Sequence, residues 1–148
     1  MQRLLCVVVT LGFALAGCNE ARARADADPQ GEKATGAYKL TVVPPSAGKV
    51  GQSLAATVKL QPKAPYKVNM EYPIKLTVNG TAGASPDKKV LRAKDAKKLD
   101  KKVAHFAPGT KCAKAGEHKI SATFKLSVCT DKQCELKTEK ISWVVKAN

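Results

Sequence analysis

The chain has 148 residues, 26 Lys+Arg against 12 Asp+Glu, a formal net charge of +14, 44% hydrophobic and 5% aromatic residues, and five Cys. That length holds one ordinary domain and excludes two large ones. The apolar content is too high and too evenly spread for wholesale disorder, and no apolar run reaches the ~18 residues of a membrane-spanning helix.

Residues 1–18 read MQRLLCVVVTLGFALAGC. Arg3 precedes an apolar run over 4–15, and the small residues Ala16 and Gly17 follow. A basic start, a short apolar middle and a small-residue end form the order of a secretory signal. Leu15-Ala16-Gly17-Cys18 resembles the lipobox of bacterial lipoproteins. The resemblance implies cleavage before Cys18 and acylation of that Cys, with 1–17 as the signal peptide. Each buried methylene contributes about 0.8 kcal/mol, so several acyl chains hold firmly where one holds weakly. Asn19, not Asp, follows the Cys. By the same resemblance this implies an outer-membrane anchor with the domain facing the periplasm. Cys6 leaves with the signal, so Cys112, Cys129 and Cys134 are the thiols left in an oxidising compartment.

Residues 19–37, NEARARADADPQGEKATGA, are polar and low in complexity. With the lipidated Cys18 they predict a flexible tether over 18–37. A short helix over 20–27 is the competing reading.

From Tyr38 onward the hydrophobic period is two. Leu54, Ala56, Val58 and Leu60 alternate with smaller or polar residues, as do Ile74, Leu76 and Val78. The longest run is Ile120, Ala122, Phe124, Leu126 and Val128. Strict alternation predicts half-buried antiparallel strands. Turn formers punctuate them, among them Pro44-Pro45, Asn79-Gly80 and Pro108-Gly109. The pattern predicts strands near 38–43, 53–60, 66–69, 74–79, 102–106, 117–128 and 134–145. About seven short strands predict an all-β fold, an antiparallel sandwich of immunoglobulin-like type over 38–148. Trp143, Phe124 and Phe106 are its predicted core anchors. The Lys-rich stretch 87–102 lacks turn residues, and its Leu91, Asp95, Leu99 spacing predicts a short helix around 93–99.

That stretch carries Lys88, Lys89, Arg92, Lys94, Lys97, Lys98, Lys101 and Lys102. The absence of aromatics from the run, the preference for Lys over Arg and the envelope address argue against nucleic acid as a partner. Two readings remain. One is contact with an anionic lipid or lipopolysaccharide surface, at up to ~1 kcal/mol per residue. The other is a solvated face that keeps a monomeric domain soluble.

The Cys carry the chemical hint. A strand ends at Cys129, four residues turn, and a strand starts at Cys134. That places the two across a hairpin mouth, where a non-hydrogen-bonded pair has Cα atoms ~4.5 Å apart and a disulfide forms readily. Three pairings among Cys112, Cys129 and Cys134 exist, each leaving one thiol over. Cys112 is a candidate third thiol, either free and buried or close enough to resolve a mixed disulfide. His105 and His118 belong to no metal motif, and no cofactor is expected.

Lys63-Ala64-Pro65-Tyr66-Lys67-Val68-Asn69, then Glu71-Tyr72-Pro73, resembles a Gly-Tyr-His-Val-Asn type segment. Ala115-Gly116-Glu117-His118, a long strand to Val128-Cys129, and Cys134 resemble the C-terminal half of the same domain. The family is the immunoglobulin-like N-terminal domain of bacterial thiol:disulfide interchange proteins and its free-standing relatives. The resemblance spans about 63–145, with Lys67 where the family carries His. It implies that Cys129 and Cys134 pass electrons by disulfide exchange with a periplasmic redox protein. The reading of a different class is a non-enzymatic envelope binding module whose Cys pair is an inert staple.

Overall fold

The computed structural model describes residues 31–148. The expected signal peptide over 1–17, Cys18, the competing short helix over 20–27 and most of the expected tether lie outside the described residues. Among those described there are thirteen strands: β1 (Gly31–Ala34), β2 (Tyr38–Val43), β3 (Ser53–Ala55), β4 (Thr57–Pro62), β5 (Lys67–Val68), β6 (Lys75–Asn79), β7 (Ala84–Pro86), β8 (Val90–Arg92), β9 (Lys98–Asp100), β10 (Val103–Phe106), β11 (Gly109–Cys112), β12 (Gly116–Cys129) and β13 (Cys134–Ala147). One sheet runs β1-β2-β4-β10-β9, a second β13-β12-β6-β8, and a small third β3-β11-β7; β5 adds to the end of β12. The ladders between these strands are antiparallel.

The two larger sheets form a sandwich because each turns one face of its alternating strands inward. Tyr38, Leu40 and Val42 of β2, Val58 and Leu60 of β4, and Phe106 of β10 are buried on one side. Leu76, Ile120, Phe124, Leu126, Ile141 and Trp143 are buried on the other. The rings of Phe106 and Phe124 meet edge to face with centroids 5.7 Å apart. All three predicted aromatic anchors are fully buried. The β12–β13 hairpin keeps one unbroken register from Gly116↔Ala147 to Cys129↔Cys134.

Four expectations need correction. The strand count exceeds seven, because strands of two to four residues join the sheets at their corners. The strand expected over 53–60 is two. Its alternation passes unbroken through Ala56, whose N–H donates to Pro108 C=O at 3.0 Å, while β3 and β4 enter different sheets. The helix expected around 93–99 is one 3-10 turn, Ala93–Asp95. Ala96 is already extended at ψ 139°, and Lys98–Asp100 pairs with β10. The tether reading of 31–37 also fails. Gly31–Ala34 pairs with β2 from Gly31↔Val42 onward, and the Thr35 hydroxyl accepts hydrogen bonds from the Ala37 and Tyr38 N–H groups.

The basic stretch connects two sheet edges. β8 closes one sheet and β9 the other, and the 3-10 turn spans them. Asp95 ties the crossing, accepting from Lys88 Nζ at 2.6 Å and from the Arg92 N–H at 2.9 Å. Both hydrogen bonds, Lys88 first, hold its carboxyl below the usual carboxylate range. All eight basic residues of the run are exposed. Lysines on exposed edge strands discourage edge-to-edge pairing with other chains.

Candidate functional site

The tip of the long hairpin is built by alternation and a tight turn. Thr130 donates its N–H to Gln133 C=O at 2.8 Å, and its hydroxyl accepts from the Gln133 N–H at 3.1 Å. This turn sets the register that puts Cys129 opposite Cys134, and the two are disulfide-bonded, with sulfurs 2.01 Å apart. The pairing expected from the hairpin is therefore present. Cys134 is exposed and Cys129 half-buried, so one sulfur faces outward at the end of the molecule.

The segment 66–69 lies against this tip. Lys67 pairs with Cys129 and Val68 with Val128. The Asn69 N–H donates to Ser127 C=O at 3.0 Å. The Asn69 side-chain amide points its Nδ2 at Ser127 Oγ, 3.4 Å away, and at Cys134 Sγ, 3.9 Å away. Its Oδ1 accepts from the Glu71 and Tyr72 N–H groups, which fixes the amide's orientation. Ser127 Oγ lies 4.0 Å from Cys129 Sγ. Each sulfur thus has a weak polar neighbour, and an N–H or O–H near sulfur favours a thiolate over a thiol. Lys67 pairs with Asp131 at 3.0 Å, so the loop charges partly cancel.

Beside the tip lies a cleft of about 450 Å³, lined among others by Lys33, Tyr38, Tyr66, Glu135, Lys137 and Glu139. Glu139 is only 6% exposed although it stands on a strand rich in charge. It shares the inward register of Ile141, Trp143 and Val145, and it accepts from the Tyr38 hydroxyl and from Lys33 Nζ. Burial first, then the carboxylate of Glu139, pushes the Tyr38 phenol up. Tyr66 donates to Glu135 at 2.7 Å, and that bond, with Lys137 second, holds Glu135 below the usual carboxylate range. Two Tyr–Glu pairs therefore wall a groove on the inward-register face of β13, and Cys134 stands on the opposite face of that strand. The sequence reading missed Glu139; its place in the inward alternation was the available signal.

Cys112 does not approach the hairpin tip. It is buried and free, in β11, opposite Ala84 of β7. Ala113 next to it donates its N–H to Gly83 C=O, and Gly83 lies against the His118 ring. His118 sits near the start of β12 and Cys129 at its end, eleven residues on. At about 3.3 Å per residue that is on the order of 35 Å. A resolving role for Cys112 is excluded by this distance. Burial pushes its thiol up, which disfavours the reactive thiolate. Iodoacetamide at neutral pH is expected to leave Cys112 unlabelled in the folded chain and to modify it after unfolding in urea. Stoichiometric labelling of the folded chain, read by mass spectrometry, would contradict its burial.

Among the described residues no group of three or more His, Cys, Asp or Glu is placed to hold a metal ion. Among them, no helix is long and apolar enough to cross a membrane. The basic residues of 88–102 do not converge on one point: Lys98 and Lys102 line a second cleft with Lys59, Gln61 and His105, and the others do not.

No protein-family model matches the chain. No curated protein matches it either. Among solved structures it is similar to AggA, the major subunit of aggregative adherence fimbriae type I from Escherichia coli, at 12% identity and a TM-score of 0.40. That match covers 75% of this chain and 94% of the other.

Proposed function

We propose that the chain is a lipid-anchored envelope protein whose periplasm-facing immunoglobulin-like domain exchanges its Cys129–Cys134 disulfide with a protein partner. One observation carries the reading: the bond sits at an exposed hairpin tip, with Cys134 outward and Asn69 Nδ2 3.9 Å from its sulfur. A purely structural role gives little reason for it. The cross-link closes six residues in a hairpin already held by fourteen register pairs, and the chain-entropy estimate for so small a loop is roughly 2 kcal/mol.

In the exchange a partner thiolate attacks Cys134 Sγ, and the intramolecular S–S bond breaks. Its electron pair leaves with Cys129 as thiolate, which takes up a proton. The partner's second thiolate then attacks the partner sulfur of the mixed disulfide and releases Cys134. The partner's dithiol ends oxidised and this pair reduced; the reverse sequence reduces a partner disulfide. The Asn69 side-chain amide, 3.9 Å from Cys134 Sγ, offers a polar contact for the partner at the reacting sulfur.

The envelope address rests on the pattern of 1–18, and the fold type on the alternating strands and their sandwich. Association of the 88–102 face with an anionic membrane surface is compatible with this reading and adds to the anchor.

The test is a trap in the native envelope. Cys129→Ala leaves Cys134 unable to be released by its neighbour. It is expected to accumulate covalent adducts, released by dithiothreitol, at several times the level seen with Cys134→Ala. Absence of adducts from both variants would leave an anchored binding domain with an inert staple.

A further inference from the structure

On the outer face of the first sheet, Lys59 of β4, His105 of β10 and Lys98 of β9 are direct cross-strand partners in one row. Directly opposed residues on a sheet have Cβ atoms about 4.5–5.5 Å apart. The row places an ammonium on each side of the imidazole. Lys102, from the turn that leads into β10, and Gln61, two residues along β4, complete a cleft of about 330 Å³ with Val103. None of these lining residues is acidic. The Asp100 carboxylate lies 3.7 Å from Lys98 Nζ, and its other oxygen is taken by the Lys102 and Val103 N–H groups. His105 Nε2 is buried and has no hydrogen-bond partner among the described residues.

Two costs meet here. Like charges gathered around one cleft repel, and a buried ring nitrogen without a partner loses its hydration without return. A single ligand class removes both. A tetrahedral oxyanion accepts from several ammoniums, from the Gln61 amide and from an imidazole N–H at once.

We propose that this cleft binds a phosphate-type oxyanion, either free phosphate or the phosphomonoester of an envelope lipid, between Lys59 and Lys98. The site differs from the basic run itself. Of that run it uses only Lys98 and Lys102, and it depends on Lys59, Gln61 and His105, which lie far from the run in sequence. It is also independent of the disulfide exchange.

The test is calorimetric titration of the full-length chain in nonionic detergent, with inorganic phosphate in one arm and a short-chain, water-soluble phosphatidic acid in the other. At least one is expected to bind, and Lys59→Gln to weaken it about tenfold, the loss typical of one charge-assisted hydrogen bond. Lys140→Gln, the same charge change on the other sheet, is expected to weaken it less than twofold. Binding of phosphate alone identifies the free anion as the source; tighter binding of the phosphatidic acid identifies the head group. Failure of both to bind, or equal weakening by the two variants, overturns the site.

Discussion

Trp143→Ala is expected to destabilise the domain by about 4 kcal/mol, the range for deleting a large aromatic from a packed core. Trp143 is 0% exposed and is the largest of the fully buried side chains. It lies opposite Ile120 in the long hairpin, on the face that packs against the other sheet. A domain of this size has some 5–15 kcal/mol in total, so the variant loses a large fraction of it. The midpoint of thermal unfolding should fall by about 15 °C. Trp143→Phe should cost clearly less. It keeps most of the ring volume, and it removes an indole N–H that is buried without a hydrogen-bond partner among the described residues. A melting curve for each variant checks the order. Equal losses in both would contradict the account, because they would mean that a benzyl ring recovers none of the packing that the indole supplies.

Cys18→Ser is expected to abolish stable membrane attachment. Residue 18 lies outside the described residues, so the expectation rests on the sequence pattern alone. Acyl chains contribute about 0.8 kcal/mol per buried methylene, and two or more make release very slow. The unaltered chain should therefore sediment with membranes and resist extraction by high salt, yield to detergent, and incorporate labelled palmitate. The variant should lose the label and shift in large part to the soluble fraction. Retention of label by Cys18→Ser would refute acylation at that residue. Surface charge alone cannot mimic this result, because attraction by exposed lysines is screened within about 10 Å at 0.1 M salt.

The features legible in the sequence were those written in long alternation. Ile120, Ala122, Phe124, Leu126 and Val128 announce β12 because five alternate residues must share one face. The four residues between Cys129 and Cys134 then dictate the opposed register, and the disulfide follows. Alternation says which side of a strand is apolar and not which sheet the strand joins. That is why the corner at Ala56 was hidden: Leu54, Ala56, Val58 and Leu60 are all buried on either side of it. β7, β8 and β9 have three residues each, too few for a period to show. β1, with the sequence GEKA, carries no apolar signal, since all four residues are exposed and it is held by backbone bonds to β2 and by the ion pairs of Glu32 with Lys39 and of Lys33 with Glu139.

The same limit applied to the sites. Cys129 and Cys134 were found because Cys is rare and their spacing is local. The cleft of Lys59, His105 and Lys98 joins three strands through register, and two residues on neighbouring strands carry no joint mark in a linear sequence. Glu139 was hidden for the opposite reason. Amid Lys137, Thr138 and Lys140 it reads as solvated, while the pleat turns it inward to meet Tyr38 and Lys33.

The exchange reading stands or falls on how readily the hairpin bond opens. Equilibrating the full-length chain against defined dithiothreitol ratios, with Cys129 and Cys134 scored by alkylation and mass spectrometry, gives its reduction potential directly. The account predicts a value above about −300 mV, within the span of proteins that trade disulfides. A value below that bound would mark a bond the envelope never reduces and would contradict disulfide exchange as the domain's activity.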